Sequence, residues 1–162
     1  MEKVHFSNTQ NFPPNNLTFI ELLNAAKNAN PQLIEYFACS DWTNDNQLCI
    51  KFRLVHIFKE FRIPQIQGDF IVNSKRNDDG SVEYSVVSTI ERDLGKLECL
   101  SISISPDGTE INISGSADLN NDMPRLVITG AKRILKLAMR ATSQYIGNIP
   151  ANSNKNDLST QT

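Results

Sequence analysis

The chain has 162 residues, with 16 Lys and Arg against 18 Asp and Glu, so its formal net charge is −2. This length predicts a single domain, and a hydrophobic content of 40% is sufficient for a core. The lack of a basic excess argues against a nucleic-acid binder, and no apolar run approaches the roughly 18 residues of a membrane-spanning helix.

The cysteine pattern and the N-terminal sequence indicate the cellular compartment in which the protein is expected. Cys39, Cys49 and Cys99 form no CxxC pair and cannot all be bonded to one another. Residues 1–12 lack the apolar segment of a secretory signal peptide. We therefore expect a cytoplasmic protein in a reducing environment.

Residues 3–39 predict one strand and two short helices. Val4 and Phe6 alternate with polar residues in a strand over residues 3–12, which the two following prolines end. Apolar residues at helical spacing predict a helix from residue 17, with Asn16 as its N-cap. Pro31 suits the first turn of a second, short helix that continues to about residue 39.

From residue 48 the apolar residues alternate with a period of two, which predicts half-buried strands. Residues 55–61 fit either a bulge or one helical turn. Turn signals at residues 77–80, 93–96 and 106–109 join the later segments and favour an antiparallel meander. The predicted strands are residues 48–54, 66–72, 82–90, 98–104 and 111–117.

A long helix is predicted over residues 124–146, capped by Asn121 or Asp122 and stopped at Gly147. Its basic residues form one stripe, and apolar residues occupy most of the remaining circumference. So wide an apolar face is typical of a helix laid across a curved sheet. We expect residues 1–147 to form the domain and residues 148–162 to form a disordered polar tail. The basic stripe comprises Lys132, Arg133, Lys136 and Arg140.

This order of elements resembles the helix-grip fold of the START/Bet v 1-like (SRPBCC) superfamily, which includes polyketide cyclases and lipid-transport proteins. The local resemblance is carried by residues 12–14 (FPP) before an apolar helix and by residues 68–70 (GDF) at the start of a middle strand. It implies an α+β fold in which a curved antiparallel sheet of six to seven strands wraps around a long C-terminal helix. Two short helices are expected after the first strand.

The resemblance also implies a cavity between the sheet and the closing helix, which family members use for lipids, sterols and polyketides. The inferred inward positions are almost uniformly apolar, although the same side chains could simply fill the interior. We expect Trp42 to pack against the second helix or to cover the cavity mouth. The predicted ligand-binding residues are Phe52, Leu54, Phe70, Tyr84, Val86, Leu100, Ile102, Leu135 and Met139.

The sequence contains few residues in catalytic or metal-binding patterns. His5 and His56 are far apart, and there is no HExxH, CxxC or HxH motif, so we predict no metal ion and no cofactor. The basic stripe is either a solvated helix face or a point of peripheral contact with an anionic membrane. No catalytic residue is assigned, and the oligomeric state is left open.

Three functions therefore remain. The first is binding of an apolar or amphipathic small molecule in the cavity. The second is a cyclase or hydrolase in the same cavity, for which Tyr84, His56 or Glu83 would have to face inward as acid or base. The third is a regulatory interaction module with a filled core. A void of about 300 Å³ or more would favour the ligand-binding function.

Overall fold

One antiparallel sheet and two long helices make up the described part of the chain. The computed structural model describes residues 2–63, 65–88, 95–119 and 123–149. A short 3₁₀ turn, Lys59–Phe61, lies between two of the strands. The elements are β1 (Glu2–Asn11), α1 (Phe19–Ala29), β2 (Ile34–Cys39), β3 (Gln47–Leu54), β4 (Gln67–Arg76), β5 (Val82–Ser88), β6 (Gly95–Ile104), β7 (Glu110–Leu119) and α2 (Arg125–Asn148).

The strand order in the sheet is β1-β7-β6-β5-β4-β3-β2. Strands β2 to β7 form a meander, as the turn signals predict. The first strand is the exception, because it pairs with β7 at the far edge from β2. The connection from β1 to β2 must therefore cross the whole sheet, and α1 lies within that connection. The seven strands and the long C-terminal helix confirm the predicted helix-grip architecture.

Pairing register places the predicted inward residues on one face of the sheet. Leu48 is opposite Val72, which is opposite Val86, which in turn is opposite Leu100. Directly opposed residues in an antiparallel pair project to the same side. Leu48 and Val72 are fully buried. This apolar side, here called the inner face, is the one that α1 and α2 cover.

Both helices contribute buried side chains over the inner face. Phe19, Leu22 and Ala25 are buried on α1, and Met139 and Ile146 are buried on α2. All five belong to the same core cluster as the inner-face strand residues. Within the described residues, neither helix is long and apolar enough to cross a bilayer.

The predicted second helix is wrong, because its residues form β2. Strand β2 is a six-residue edge strand that pairs with β3, with Phe37 opposite Phe52. Its apolar residues at positions 33, 34 and 37 fit helical spacing equally well. The register shift between Ile34 and Tyr36 removes the simple alternation that would have identified a strand. In a short edge strand with a bulge, the apolar residues can therefore have the same spacing as in one helical turn.

The ambiguous segment at residues 55–61 contains a single 3₁₀ turn rather than a strand. Arg62 ends that turn in the left-handed region, with φ of 58°. At the start of this segment, the Val55 amide donates a hydrogen bond to the carbonyl of Leu33, the residue before β2, at 2.8 Å. The predicted turn at residues 93–96 is only half described, because Gly95 and Lys96 belong to β6 and the other two lie outside the described residues.

The C-terminal helix is confirmed, but its ends differ from the prediction. It spans Arg125–Asn148 with Pro124 at the cap position. Asn121 and Asp122, the expected caps, lie outside the described residues. Gly147 remains helical, so the helix ends one residue beyond the expected stop. Asn148, the first residue assigned to the predicted tail, is therefore helical, and residues 150–162 lie outside the described part of the chain.

The N-cap of α1 is Thr18, not Asn16 as predicted. The Glu21 amide donates to the Thr18 hydroxyl at 3.2 Å, and the Thr18 amide donates to the Glu21 carboxylate at 3.0 Å. This reciprocal pair is a capping box, which satisfies two backbone donors at the helix start. Asn15 instead accepts from the Leu17 amide at 3.2 Å and stabilises the approach to the helix.

At the other end of α1, Asn30 ties the two helices together. Its side-chain amide donates to the Ala26 carbonyl at 2.8 Å, which closes the last turn of α1. The same nitrogen lies 3.3 Å from both the Ala138 carbonyl and the Thr142 hydroxyl of α2. The Thr142 hydroxyl donates to the Ala138 carbonyl at 2.7 Å. This group, here called the Asn30 latch, fixes the distance between the helices.

We expect Thr18→Ala to lower the free energy of unfolding by about 1 kcal/mol, because it removes the N-cap hydrogen bond. Urea denaturation followed by circular dichroism measures the change. Thr129→Ala is the matched control, since Thr129 is exposed in the interior of α2 and Ala is the better helix former. Equal losses of stability in the two variants would contradict the assignment of Thr18 as the cap.

We expect Asn30→Asp to destabilise the protein by about 1–3 kcal/mol more than Asn28→Asp, because only the first removes a donor from a partly buried hydrogen-bonded group. Asn28 is exposed in the last turn of the same helix, so both variants place a negative charge near the α1 C-terminus. The comparison uses urea midpoints at pH 7. If both variants lose the same stability, the Asn30 latch does not hold the helices together.

Candidate functional site

A cavity of about 180 Å³ lies between α1, α2 and the inner face of β6 and β7. Its lining is apolar apart from Asn30 and Thr142, among the described residues. Both of those polar side chains belong to the Asn30 latch, so their hydrogen-bonding capacity is largely used within the protein. The central apolar lining residues are Phe19, Leu22, Ile102, Ile104, Leu135 and Met139.

The apolar cavity contains part of the predicted site. Ile102, Leu135 and Met139 line it. Val86 is buried in the core cluster, and Leu100 packs against that cluster. Phe52 and Phe70 stack on each other with ring centroids 5.1 Å apart. The predicted residues that do not line the cavity are Phe52, Leu54, Phe70, Tyr84, Val86 and Leu100.

The reason for this division is the position of α1. The inner-face prediction follows from strand alternation, which specifies a side of the sheet but not which helix lies over each part of it. Phe19 and Leu22 of α1 lie over β6 and β7, where they enclose the cavity with α2. The sequence pattern therefore does not predict the α1 residues that line the cavity. The helical spacing of Phe19, Leu22 and Ala26 was the available signal, but it also describes any packed helix.

A second space, a cleft of about 720 Å³, adjoins the cavity. Four connections surround it, namely β1 to α1, β2 to β3, β4 to β5 and β6 to β7. Phe19, Leu22 and Ile104 line both spaces and form the wall between them. The cleft, unlike the cavity, has charged side chains among its described lining residues, namely Arg76 and Asp107, and it also has amide side chains such as Asn46.

Three aromatic rings meet at the base of the cleft. Tyr84 stacks on Phe19 with centroids 3.9 Å apart, and Trp42 lies 6.0 Å from each of these rings. Trp42 therefore packs against α1 and Tyr84 rather than against a second helix, and it lines the cleft. Its position in the loop between β2 and β3 is what brings it there.

Tyr84 is 8% exposed and faces inward from β5. Burial raises the pKa of its phenol, and the nearby Arg76 guanidinium lowers that pKa by a smaller amount. The hydroxyl therefore stays protonated at neutral pH and can donate a hydrogen bond. Within the described residues it has no hydrogen-bond partner.

The other two acid or base candidates do not face inward. Glu83 is on the opposite side of β5, where its carboxylate accepts from the Ser101 hydroxyl at 3.3 Å. His56 is exposed, and its Nε2 lies 2.7 Å from the Ile63 carbonyl, to which it donates. Neither residue lines the cavity, which has no ionisable side chain among its described lining residues. The basic residues Lys132 and Arg140 are exposed on α2.

The sequence matches no protein-family model and no curated protein. Solved structures do match the fold. Human STARD10 aligns with a TM-score of 0.61 and 10% identity over 94% of this chain and 66% of that chain. The di-domain ARO/CYC BexL from the BE-7585A biosynthetic pathway aligns with a TM-score of 0.63 and 8% identity over 91% and 51%.

A third structure, human StAR-related lipid transfer protein 5, aligns with a TM-score of 0.52 and 15% identity, covering 72% of this chain and 61% of that one. The chain thus spans between about half and two thirds of the length of these three structures. At these identities the structural alignments show a shared fold and nothing more. The chain has the helix-grip fold that its element order predicts.

Proposed function

We propose that the protein binds a small apolar molecule, or the apolar part of an amphipathic one, in the cavity between α1, α2 and the sheet. The apolar lining carries this proposal, because its two polar residues are occupied in the Asn30 latch. Apolar walls offer water few hydrogen-bond partners. Removing apolar ligand surface from water would then supply the affinity, at about 25 cal/mol per Å² before ordering costs.

The volume of the cavity limits the size of the ligand that it can bind. About 180 Å³ is slightly larger than an engineered apolar cavity of about 150 Å³ that binds benzene. It falls short of the roughly 300 Å³ that we expect of a ligand-binding void, the size at which pockets for drug-sized ligands begin, so that expectation is not met. The proposed occupant is accordingly one small ring or a short hydrocarbon chain. The lipid-transfer name of one structural neighbour supports an apolar ligand class.

The absence of ionisable side chains among the described cavity-lining residues favours binding over catalysis within this cavity. A cyclase or hydrolase would need an acid or base beside the reacting atoms. Tyr84 is the inward-facing candidate, but it lines the cleft on the other side of Phe19. The interaction-module hypothesis is distinguished from ligand binding by the following experiment.

We expect Met139→Trp to reduce binding of toluene at least tenfold, because the indole fills the cavity that Met139 lines. Isothermal titration calorimetry measures binding of this single-ring probe, which has the size of the proposed ligand. Leu126→Trp is the matched control, since Leu126 is 69% exposed on the same helix, and this variant should bind toluene as the unmodified protein does.

Because overpacking at a buried position costs about 1–3 kcal/mol, Ala26→Leu provides a milder block from the α1 side of the same cavity. We expect this variant to weaken toluene binding and to remain folded by circular dichroism. Unchanged toluene affinity in both folded cavity variants would refute the proposed site. A failure of the unmodified protein to bind toluene or any other small apolar probe would favour the interaction module.

A further inference from the structure

A further space, here called the outer groove, lies at the surface between α2 and the connection from α1 to β2. Its volume is about 330 Å³, and its described lining residues carry no charge. Most of the lining is apolar, so the groove offers a surface on which a small apolar molecule can rest. The apolar lining includes Pro31, Leu33, Ile134, Leu137 and Ala141.

The outer groove and the cavity share a wall of three residues. Asn30, Leu33 and Ala138 line both spaces. All three are half-buried, which places this wall at the surface of the molecule. The side chain of Ala138 is a single methyl group. The cavity is therefore separated from the groove mainly by the Asn30 side chain, which belongs to the Asn30 latch, and by Leu33.

The wall between the cavity and the cleft is of a different kind. Phe19, Leu22 and Ile104 form it, and they are only 5–9% exposed. All three belong to the main core cluster, and the Phe19 ring also stacks on Tyr84. Among the described residues, that cluster includes none of the three that separate the cavity from the outer groove. Opening the cavity toward the groove therefore disturbs the core less than opening it toward the cleft.

The hydrogen bonds of the Asn30 latch allow it to open. The Asn30 side-chain nitrogen lies 2.8 Å from the Ala26 carbonyl of its own helix, but 3.3 Å from each of its two acceptors on α2. Hydrogen bonds of this type are normally 2.7–3.2 Å long, so the contacts between the helices are the weaker ones. If they break, Asn30 keeps its bond to Ala26, and the Thr142 hydroxyl keeps its bond to the Ala138 carbonyl at 2.7 Å.

The segment that carries the wall is attached to a weakly held part of the sheet. Residues 30–33 lead into β2, a six-residue edge strand that pairs with β3 alone and has a register shift near its start. The Leu33 and Ile34 amides donate to the Asn30 carbonyl at 3.1 and 3.0 Å, which makes the turn one unit. The Val55 amide holds the far end of that unit through the Leu33 carbonyl. Local opening in folded proteins is concentrated in segments with few buried contacts of this kind.

We propose that the ligand enters and leaves the cavity through the outer groove, by an outward movement of residues 30–33 that breaks the contacts of the Asn30 latch with α2. The apolar groove receives the ligand from solvent, and the latch closes behind it. This inference rests on the proposed function, since an entrance matters only if the cavity takes up a ligand. It adds the position of the entrance and the residues that control the rate of exchange.

Exchange of 4-fluorotoluene, a single-ring probe related to toluene, tests this route. Fluorine nuclear magnetic resonance of the free and bound probe measures its association and dissociation rate constants. We expect Thr142→Val to raise both rate constants about threefold or more, because valine has a similar shape but cannot accept a hydrogen bond from Asn30. A merely structural loss would instead lower the folded fraction, which circular dichroism measures.

Ala141→Trp is expected to lower both rate constants about fivefold or more, because the indole obstructs the outer groove, which Ala141 lines without lining the cavity. Ser74→Trp is the matched control. Ser74 lines the cleft and not the cavity, so the same side chain at this position obstructs the other route. It should change either rate constant less than about twofold.

The outcomes separate this inference from the proposed function. Slower exchange in Ser74→Trp with unchanged exchange in Ala141→Trp overturns the inference, because the probe then passes through the cleft. Rate constants that are unchanged in both Thr142→Val and Ala141→Trp also overturn it, while binding of the probe by the unmodified protein leaves the cavity proposal standing. If the unmodified protein does not bind 4-fluorotoluene, both proposals fail.

Discussion

Packing of α1 onto the inner face of the sheet is the interaction on which the rest of the structure depends. The Phe19 ring stacks on Tyr84 at 3.9 Å, while the capping box at Thr18 and the Asn30 latch fix the two ends of the helix. With α1 held in this way, α2 encloses a cavity on one side of Phe19 and the loops enclose a cleft on the other. Loss of the α1 position would merge or abolish both spaces.

Most of the fold was predictable because the strands are long and alternate regularly. The strands beginning at Gln47 and Glu110 each keep an apolar inner face for eight residues or more. The C-terminal helix has a wide apolar face that its sequence pattern indicates clearly. Prediction failed at β2, where a six-residue edge strand carries a bulge. It also failed at the α1 cap, because the neighbouring residues Asn16 and Thr18 are both favourable capping types and local sequence does not choose between them.

The site was less predictable than the fold, because its position depends on contacts between distant segments. Alternation correctly placed Ile102 and Tyr84 on the inner face, and helical spacing placed Leu135 and Met139 against it. No local pattern shows that α1 covers one end of that face and leaves Phe52 and Phe70 beyond the cavity. The cleft is still harder to infer, since four connections far apart in sequence form it.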